Sequence, residues 1–233
     1  MDISSRLDQV VKMVPKCSAV ADIGTDHGYV LIALLKRNRI TRGIASDNKK
    51  KPLEKAMMNA REEGVASHLD FRLGSGLETL KPDEVNGAVI AGMGGILIQD
   101  LITSAPEVVR SLDFLLLQPA QNPEILRKFL YENHFEILDE EMIKEDRRYY
   151  EYLMVKYVPE KTASLRKLSD YSVGDILYRK GHPLMEDFLN DSIRELEKIQ
   201  NKMDLSSENA RNKQVEMNKK INELRRLRDG NAG

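Results

Sequence analysis

The stretch Ala21-Asp22-Ile23-Gly24-Thr25-Asp26-His27-Gly28-Tyr29 joins an apolar run, residues 18–23, to a segment with helical spacing, residues 30–35. Strand, glycine turn and helix in this order form the arrangement in which a nucleotide-like ligand meets backbone N–H groups at a helix N-terminus. Gly24 and Gly28 allow the chain to turn sharply and to approach a ligand closely, because they carry no Cβ. The stretch therefore predicts the ligand-binding turn of an α/β fold.

The acids in this turn indicate the charge of its ligand. The pattern is Asp-x-Gly-x-Asp-x-Gly, whereas dinucleotide enzymes carry Gly-x-Gly-x-x-Gly. An acid at position 26 would repel a pyrophosphate. Asp22 and Asp26 are better suited to a cationic or neutral ligand, and S-adenosylmethionine carries an ammonium and a sulfonium. The alternative is an ordinary βα turn in which Asp26 only caps the helix.

Composition sets limits on the kind of protein. The chain has 233 residues, 41% of them hydrophobic, and a formal net charge of −1. This length allows one large domain, or a medium domain with an appendage. The chain has no overall positive charge that would favour nucleic-acid binding, so any contact with nucleic acid must come from local clusters of basic residues.

Cysteine and histidine usage points to a reducing compartment and to no metal site. The single cysteine, Cys17, excludes an intramolecular disulfide. The four histidines are His27, His68, His134 and His182, which are too far apart in sequence to form a ligand pair. No run has the length of a membrane span, and the N-terminus has no apolar leader. We expect a soluble cytoplasmic protein without a metal.

Alternating apolar and helical segments predict the main domain. After a leading helix that ends at Pro15, strands are predicted at residues 18–23, 43–47, 68–73, 87–91 and 114–117. Helices are predicted between them, at residues 30–37, 53–63, 96–104 and 124–132. This alternation predicts a parallel sheet with right-handed crossovers. Two further strand-like runs, residues 135–143 and 149–157, are separated by a short polar turn and must pair antiparallel.

The predicted fold class is α/β, with a Rossmann-like sheet of seven strands that is mostly parallel and has an antiparallel last strand. This architecture is typical of class I methyltransferases that use S-adenosylmethionine. Residues 1–160 are predicted to form the S-adenosylmethionine-binding domain, and residues 161–233 a linker with a C-terminal helical hairpin. Narrow apolar stripes in two successive segments predict that this hairpin is a small antiparallel coiled coil.

Candidate cofactor residues follow the strands, because ligands bind outside the carboxyl ends of a parallel sheet. Asp47 comes after the second strand, where a carboxylate typically accepts hydrogen bonds from ribose hydroxyls. The Gly74-Ser75-Gly76 turn after the third strand is predicted to face the adenine ring. The full predicted set is Asp22, Gly24, Asp26, His27, Gly28, Asp47, Asn48, Gly74, Ser75, Gly76, Gly92, Met93 and Gly94.

Two basic clusters are candidates for RNA contact. They are Lys49, Lys50 and Lys51, and Arg147 with Arg148, which two tyrosines follow. Charge runs usually form solvated faces. Both clusters, however, fall at the predicted ligand rim, where a flipped base and its flanking phosphates would need cations and aromatic rings.

The motifs together identify a family resemblance. They are Arg6-Leu7, Asp22-x-Gly24-x-Asp26-His27-x-Tyr29, Ala91-Gly92-Met93-Gly94-Gly95, Leu117-Gln118-Pro119, Tyr150-Glu151 and the C-terminal hairpin. Through these motifs the chain resembles, over nearly its whole length, the bacterial tRNA (adenine-22-N1)-methyltransferases. Ala120 stands where the family carries Asn, and Ser75 where many members carry an acid or amide.

The resemblance implies methyl transfer from S-adenosylmethionine to N1 of adenine 22, in the D-loop region of tRNA. Asp26, Tyr29 and Gln118 are the catalytic candidates. Asp26 would face either the positive charge that develops on the base or the cofactor ammonium, and Tyr29 and Gln118 would hold the base. The hairpin would bind the body of the tRNA.

Two other functions remain open at this point. One is a methyltransferase that acts on a small molecule or a protein, and the other is a non-enzymatic RNA-binding or scaffold protein. The oligomeric state is also open, because the apolar stripes could pair within or between chains; a monomer is favoured.

Overall fold

The computed structural model describes residues 3–163, 170–204 and 206–230. The chain divides into two compact units, Met1–Ser164 and Leu165–Gly233. The predicted division at residue 160 lies close to this boundary, and the assignment of the two parts to cofactor binding and to a helical appendage stays a prediction. No helix in the described ranges is long and apolar enough to span a membrane.

The first unit contains one seven-stranded sheet. Its order is β3-β2-β1-β4-β5-β7-β6, and β7 runs antiparallel to both of its neighbours. The predicted mostly parallel sheet with an antiparallel last strand is therefore confirmed. The strands are β1 (Ala19–Ile23), β2 (Arg42–Asp47), β3 (Leu69–Leu73), β4 (Gly87–Gly94), β5 (Phe114–Gln121), β6 (Phe135–Glu145) and β7 (Arg148–Tyr157).

Helices connect the parallel strands, as the alternation predicted. One of them, α5, was not predicted from the sequence, because six residues are too few to show helical periodicity. Pro106 stands at its first turn, and Val108 and Val109 are buried. The helices of this unit are α1 (Ser5–Met13), α2 (Tyr29–Lys36), α3 (Lys50–Glu62), α4 (Gly95–Ser104), α5 (Pro106–Ser111) and α6 (Pro123–Glu132).

The centre of the core is formed by β1 and α2, which flank the glycine turn. All five residues of β1 are buried. In α2, every residue from Val30 to Leu35 is buried, so this helix is apolar all round rather than amphipathic. Because both neighbours of the turn are held in the core, the turn itself is fixed at the carboxyl edge of the sheet.

Two strands extend further than predicted. Residues 92–94 and 118–121 were expected to be loops, but they belong to β4 and β5. The pairing of β4 with β5 shifts register at Ala91/Met93 and at Met93/Gly94. Such irregularities bend a strand and redirect its side chains. The glycine-rich segment stays in the sheet because Met93 and Gly94 still pair with Pro119 and Gln121 of β5.

A buried ionic cluster joins α6 to the terminal hairpin of the sheet. The Nε of Arg127 lies 2.7 Å from Oε1 of Glu140 on β6, and one terminal guanidinium nitrogen lies 2.6 Å from Oε2 of Glu151 on β7. Arg127 and Glu140 have no exposed surface, and Glu151 is 7% exposed. Burial raises the pKa of Glu151, against the opposing effect of Arg127.

The second unit is helical. It contains α7 (Asp175–Arg179), α8 (Met185–Gln200) and α9 (Glu208–Gly230). Gln200 Nε2 donates to Asn218 Oδ1 at 2.7 Å, and Arg225 lies 2.6 Å from Glu197, so α8 and α9 are antiparallel to each other. Leu189, Ile193, Ile221 and Leu224 are buried, as the stripes predicted, whereas Ile199 of the same stripe is 46% exposed. Coiled-coil geometry stays a prediction, and the predicted linker falls partly on residues 164–169, outside the described residues.

Candidate cofactor cleft and substrate rim

The glycine turn is anchored to the neighbouring strand by two backbone bonds. The N–H groups of Gly24 and Thr25 donate to the carbonyl oxygen of Ser46 at 2.8 and 2.9 Å. Gly24 and Gly28 have φ values of +74° and +71°, a region that glycine enters without a steric penalty. These bonds place the turn beside Asp47, which follows Ser46.

Asp26 is not a helix cap. Gly28 is the N-cap of α2, and no side chain caps this helix. The Asp26 carboxylate is largely exposed and lies 3.2 Å from Nε2 of His27. The His27 ring in turn stacks on Tyr29, with centroids 5.2 Å apart and planes 11° apart. The alternative interpretation of the turn, in which Asp26 only caps α2, is therefore wrong.

Asp22 is buried at the base of the turn. It is 6% exposed, and Oγ1 of Thr25 donates to its Oδ2 at 2.7 Å. Burial raises the pKa of Asp22 to about 6, partly offset by the Thr25 bond; the charges of Asp47 and Asp26 raise it further. This carboxyl therefore changes charge near neutral pH and favours a cation beside it.

Asp47 is held in place by hydrogen bonds from nearby backbone N–H groups. Its Oδ1 accepts a hydrogen bond from the Lys49 N–H at 2.7 Å, and its backbone carbonyl accepts from Gly74 N–H at 3.0 Å. The second carboxylate oxygen has no hydrogen bond within residues 3–163, and is therefore available to hydroxyl donors such as those of a ribose.

A cavity at the carboxyl ends of β1 to β4 brings together part of the predicted set. Gly24, Asp47, Asn48, Ser75, Gly76 and Met93 line it with Ile23, Leu97 and Leu101. A Cβ at position 24 would overlap the methyl end of the flexible Met93 side chain, and the φ of +74° at this position favours glycine whether or not Met93 moves. Apolar walls with a carboxylate at one end fit an adenosine group. The other predicted cofactor residues, Asp22, Asp26, His27, Gly28, Gly74, Gly92 and Gly94, do not line this cavity.

Gln118, which is predicted to hold a substrate base, is buried and makes its hydrogen bonds to other groups of the protein. It is 1% exposed. Its Oε1 accepts from an Arg6 guanidinium nitrogen at 2.9 Å and from the Gly92 N–H at 3.2 Å, and its Nε2 donates to the Pro119 carbonyl at 3.0 Å. Base binding by Gln118 stays a prediction; its bonds in the structure position Arg6 and Gly92.

Arg6 is a candidate that reasoning from the residue pattern missed. The guanidinium sits at the end of β4, held by Gln118, and has no carboxylate partner among residues 3–163. The hydroxyl of buried Tyr152 donates to the Arg6 backbone carbonyl at 2.9 Å, which anchors α1 at this point. Arg6 belonged to a motif of the family resemblance, but nothing local connected it to Gln118, 112 residues away.

The predicted RNA-binding cations are exposed at the same edge. Lys49, Lys50 and Lys51 lie at the start of α3, directly after β2. Arg147 and Arg148 lie at the turn between β6 and β7, where Asp146 and Arg147 both have positive φ, as in a type I′ hairpin. Among the described residues, no group of three or more His, Cys, Asp or Glu side chains is arranged to hold a metal ion.

Comparison with known proteins identifies the family. Residues 3–153 match a family described as a methyltransferase domain. The chain is 31% identical over 156 residues to a tRNA (adenine(22)-N(1))-methyltransferase of Bacillus subtilis; the match covers 67% of this chain and 66% of that protein.

Solved structures match over nearly the whole chain. A Streptococcus pneumoniae protein in complex with S-adenosyl-L-methionine is 25% identical, with a TM-score of 0.85 and coverage of 97% of this chain and 100% of that one. TrmK of M. capricolum in complex with S-adenosyl-homocysteine is 26% identical, with a TM-score of 0.82 and coverage of 97% and 98%. This chain therefore belongs to the methyltransferase domain family, and its predicted resemblance to the tRNA (adenine-22-N1)-methyltransferases is confirmed.

Proposed function

We propose that this protein is an S-adenosylmethionine-dependent methyltransferase that modifies N1 of adenine 22 in tRNA. The observation that carries the proposal is the acidic glycine turn at the carboxyl edge of the sheet, which contains Asp22 and Asp26 and lies beside the cavity that Asp47 lines. Three carboxylates suit a ligand that carries an ammonium and a sulfonium better than they suit a pyrophosphate. A cytoplasmic location and a monomeric state belong to the same proposal.

The residues of the cleft have distinct roles in this proposal. Asp47 binds the ribose hydroxyls through its available carboxylate oxygen, and Asp22 attracts the ammonium. Arg6, which Gln118 holds beside Gly92, pairs with the carboxylate of the methionine moiety. Bound S-adenosylmethionine supplies a methyl group on a positively charged sulfur.

For the adenine substrate, the reaction depends more on positioning the base than on transferring a proton. Adenine N1 carries a neutral lone pair, so no general base has to act before the transfer. The protein must hold the base in line and accommodate the positive charge that the base acquires. The exposed Asp26 carboxylate stabilises this positive charge, and the stacked His27 and Tyr29 rings lie beside it. Because N1 is normally paired or stacked, the nucleotide must turn out of its helix to reach the cleft.

The direct test is methyl transfer from labelled S-adenosylmethionine to unmodified bulk tRNA, followed by nucleoside analysis. We expect 1-methyladenosine, and no product with a transcript that carries guanosine at position 22. Cofactor binding without transfer to tRNA would favour a small-molecule or protein acceptor. Absence of both binding and transfer would favour a non-enzymatic RNA-binding protein.

Cofactor affinity is expected to rise with pH through the titration of Asp22. Its pKa of about 6 means that the carboxyl is mostly protonated at pH 5 and ionised at pH 7.5. The ionised form attracts the ammonium, so we expect the dissociation constant (Kd) for S-adenosylmethionine to fall roughly tenfold over this interval. In the ligand-free protein the sign is opposite: the contribution of Asp22 to stability is present below its ordinary pKa and is lost as pH rises through about 6.

Calorimetric titrations at both pH values would measure this effect. Asp22→Asn removes the titration and should give a weaker Kd that varies little with pH. Asp100→Asn, at an exposed position on α4, is the matched control and should behave like the wild type. An equal pH dependence in Asp22→Asn would refute the assignment.

Charge reversal at the β6–β7 turn is expected to weaken tRNA binding selectively. The Arg147→Glu/Arg148→Glu variant places two acids where phosphates would approach, so we expect the KM for tRNA to rise about fivefold or more, with a weaker dependence on salt. The Kd for S-adenosylmethionine should not change. Lys128→Glu, at an exposed position on α6, is the control; an equal effect there would remove the case for a specific contact at the turn.

A further inference from the structure

His27 has a backbone conformation that requires support from its surroundings. Its φ is +63°, in the left-handed region that residues with a Cβ enter only at a cost. Such a conformation persists where neighbouring groups hold it, and it is often found at functional sites. The next residue, Gly28, packs against α3, because a Cβ there would lie 3.0 Å from the Cβ of Ala56.

One hydrogen bond holds His27 from the same face of α3. The side-chain amide of Asn59 donates to the backbone carbonyl of His27 at 2.9 Å. Asn59 lies one turn after Ala56, so both residues are on the helix face toward the glycine turn. Neither the sequence pattern nor the family resemblance singled out Asn59.

The position of the His27 backbone determines the arrangement of its neighbours. The His27 imidazole lies 3.2 Å from the Asp26 carboxylate and stacks on the Tyr29 ring. Release of the His27 carbonyl would let this backbone leave the left-handed region, and the three side chains would lose their common arrangement. We propose that Asn59 is a positioning residue of the methyl-transfer site, which it serves by holding the turn through His27. This inference rests on the proposed function.

Substitutions at position 59 separate hydrogen bonding from packing. Aspartate has the same shape as asparagine but no amide donor, and its carboxylate would face the carbonyl oxygen of His27. If the bond matters, Asn59→Asp must therefore be worse than Asn59→Ala. If Asn59 only fills space, the order is reversed, because the aspartate side chain would preserve the packing and the alanine side chain would not.

Asn133 offers a matched control in the same unit. Its side-chain amide donates to the carbonyl of Phe129 at 2.8 Å. Like the Asn59 bond, it joins a side-chain amide to a backbone carbonyl, but it is exposed and local to the end of α6, and neither Asn133 nor Phe129 lines the cofactor cavity. Asn133→Ala and Asn133→Asp therefore measure what the loss of such a bond does when no cleft residue depends on it.

The experiment measures Kd for S-adenosylmethionine by calorimetry, with kcat and KM for tRNA, on the full chain. We expect Kd to rise about fivefold in Asn59→Ala and on the order of tenfold or more in Asn59→Asp, with cooperative thermal unfolding retained. Both Asn133 variants should bind the cofactor like the wild type. If Asn59→Asp does not fold, an unchanged Kd in Asn59→Ala is still sufficient to overturn the inference.

Two outcomes separate this inference from the proposed function. A wild-type protein that binds S-adenosylmethionine, with Asn59→Asp binding equally well or better than Asn59→Ala, would overturn only the role of Asn59. A wild-type protein that does not bind the cofactor would overturn the proposed function and this inference together.

Discussion

Replacing Arg127 with alanine is expected to lower the free energy of unfolding by about 3–5 kcal/mol. The guanidinium is fully buried and pairs with Glu140 and Glu151, which are also buried. Its removal takes away the cation that Glu140 and Glu151 share in the core. The loss should be smaller at pH 5 than at pH 7, because burial raises the pKa of Glu151 and its protonation relieves the repulsion between the two acids.

Urea denaturation of the full chain would measure the change. Arg110→Ala is the matched control, because Arg110 forms an exposed pair with Glu107 at 2.7 Å; its loss should cost less than about 0.5 kcal/mol. An Arg127→Met/Glu140→Gln/Glu151→Gln variant removes all three charges and should recover part of the loss. A destabilisation below about 1 kcal/mol in Arg127→Ala would mean that water or other groups compensate the buried acids.

Replacing Asp47 with alanine is expected to raise the Kd for S-adenosylmethionine about 100-fold. Hydrogen bonds to a charged group contribute roughly 1.5–3 kcal/mol each, and a carboxylate can accept from both ribose hydroxyls. The Lys49 N–H already orients the Asp47 side chain, so the ligand does not have to order it.

Calorimetry on Asp47→Ala and Asp47→Asn would test this role. Asn retains the shape and one acceptor, so it should lose less affinity than Ala. Asp100→Ala, on the exposed face of α4, should bind like the wild type, and all three variants should unfold cooperatively. A change of less than threefold in Asp47→Ala would exclude Asp47 from the ribose contact and would weaken the proposed function.

Most of the sheet could be predicted because each strand can be recognised from the pattern of its own residues. Strands β1 to β7 were each recognisable as apolar or alternating runs, and the short turn between β6 and β7 required an antiparallel pair. The errors in the predicted elements, at the end of β4 and in α5, also arise from the local sequence. The glycine-rich end of β4 lacks strand propensity, but its pairing with β5 through an irregular register keeps it in the sheet. Six residues of α5 were too few to show a period.

The sequence by itself determined the alternation of strands and helices, the acidic glycine turn, and the placement of Asp47 at the edge of the sheet. The tertiary structure decided which remote partners each side chain meets. In the folded chain, Arg6 donates to Gln118, and Asn59 donates to the carbonyl of His27. Arg127 pairs with both Glu140 and Glu151. The physical reason is that periodicity reports which face of an element is buried, whereas hydrogen-bond partners depend on how separate elements pack against each other.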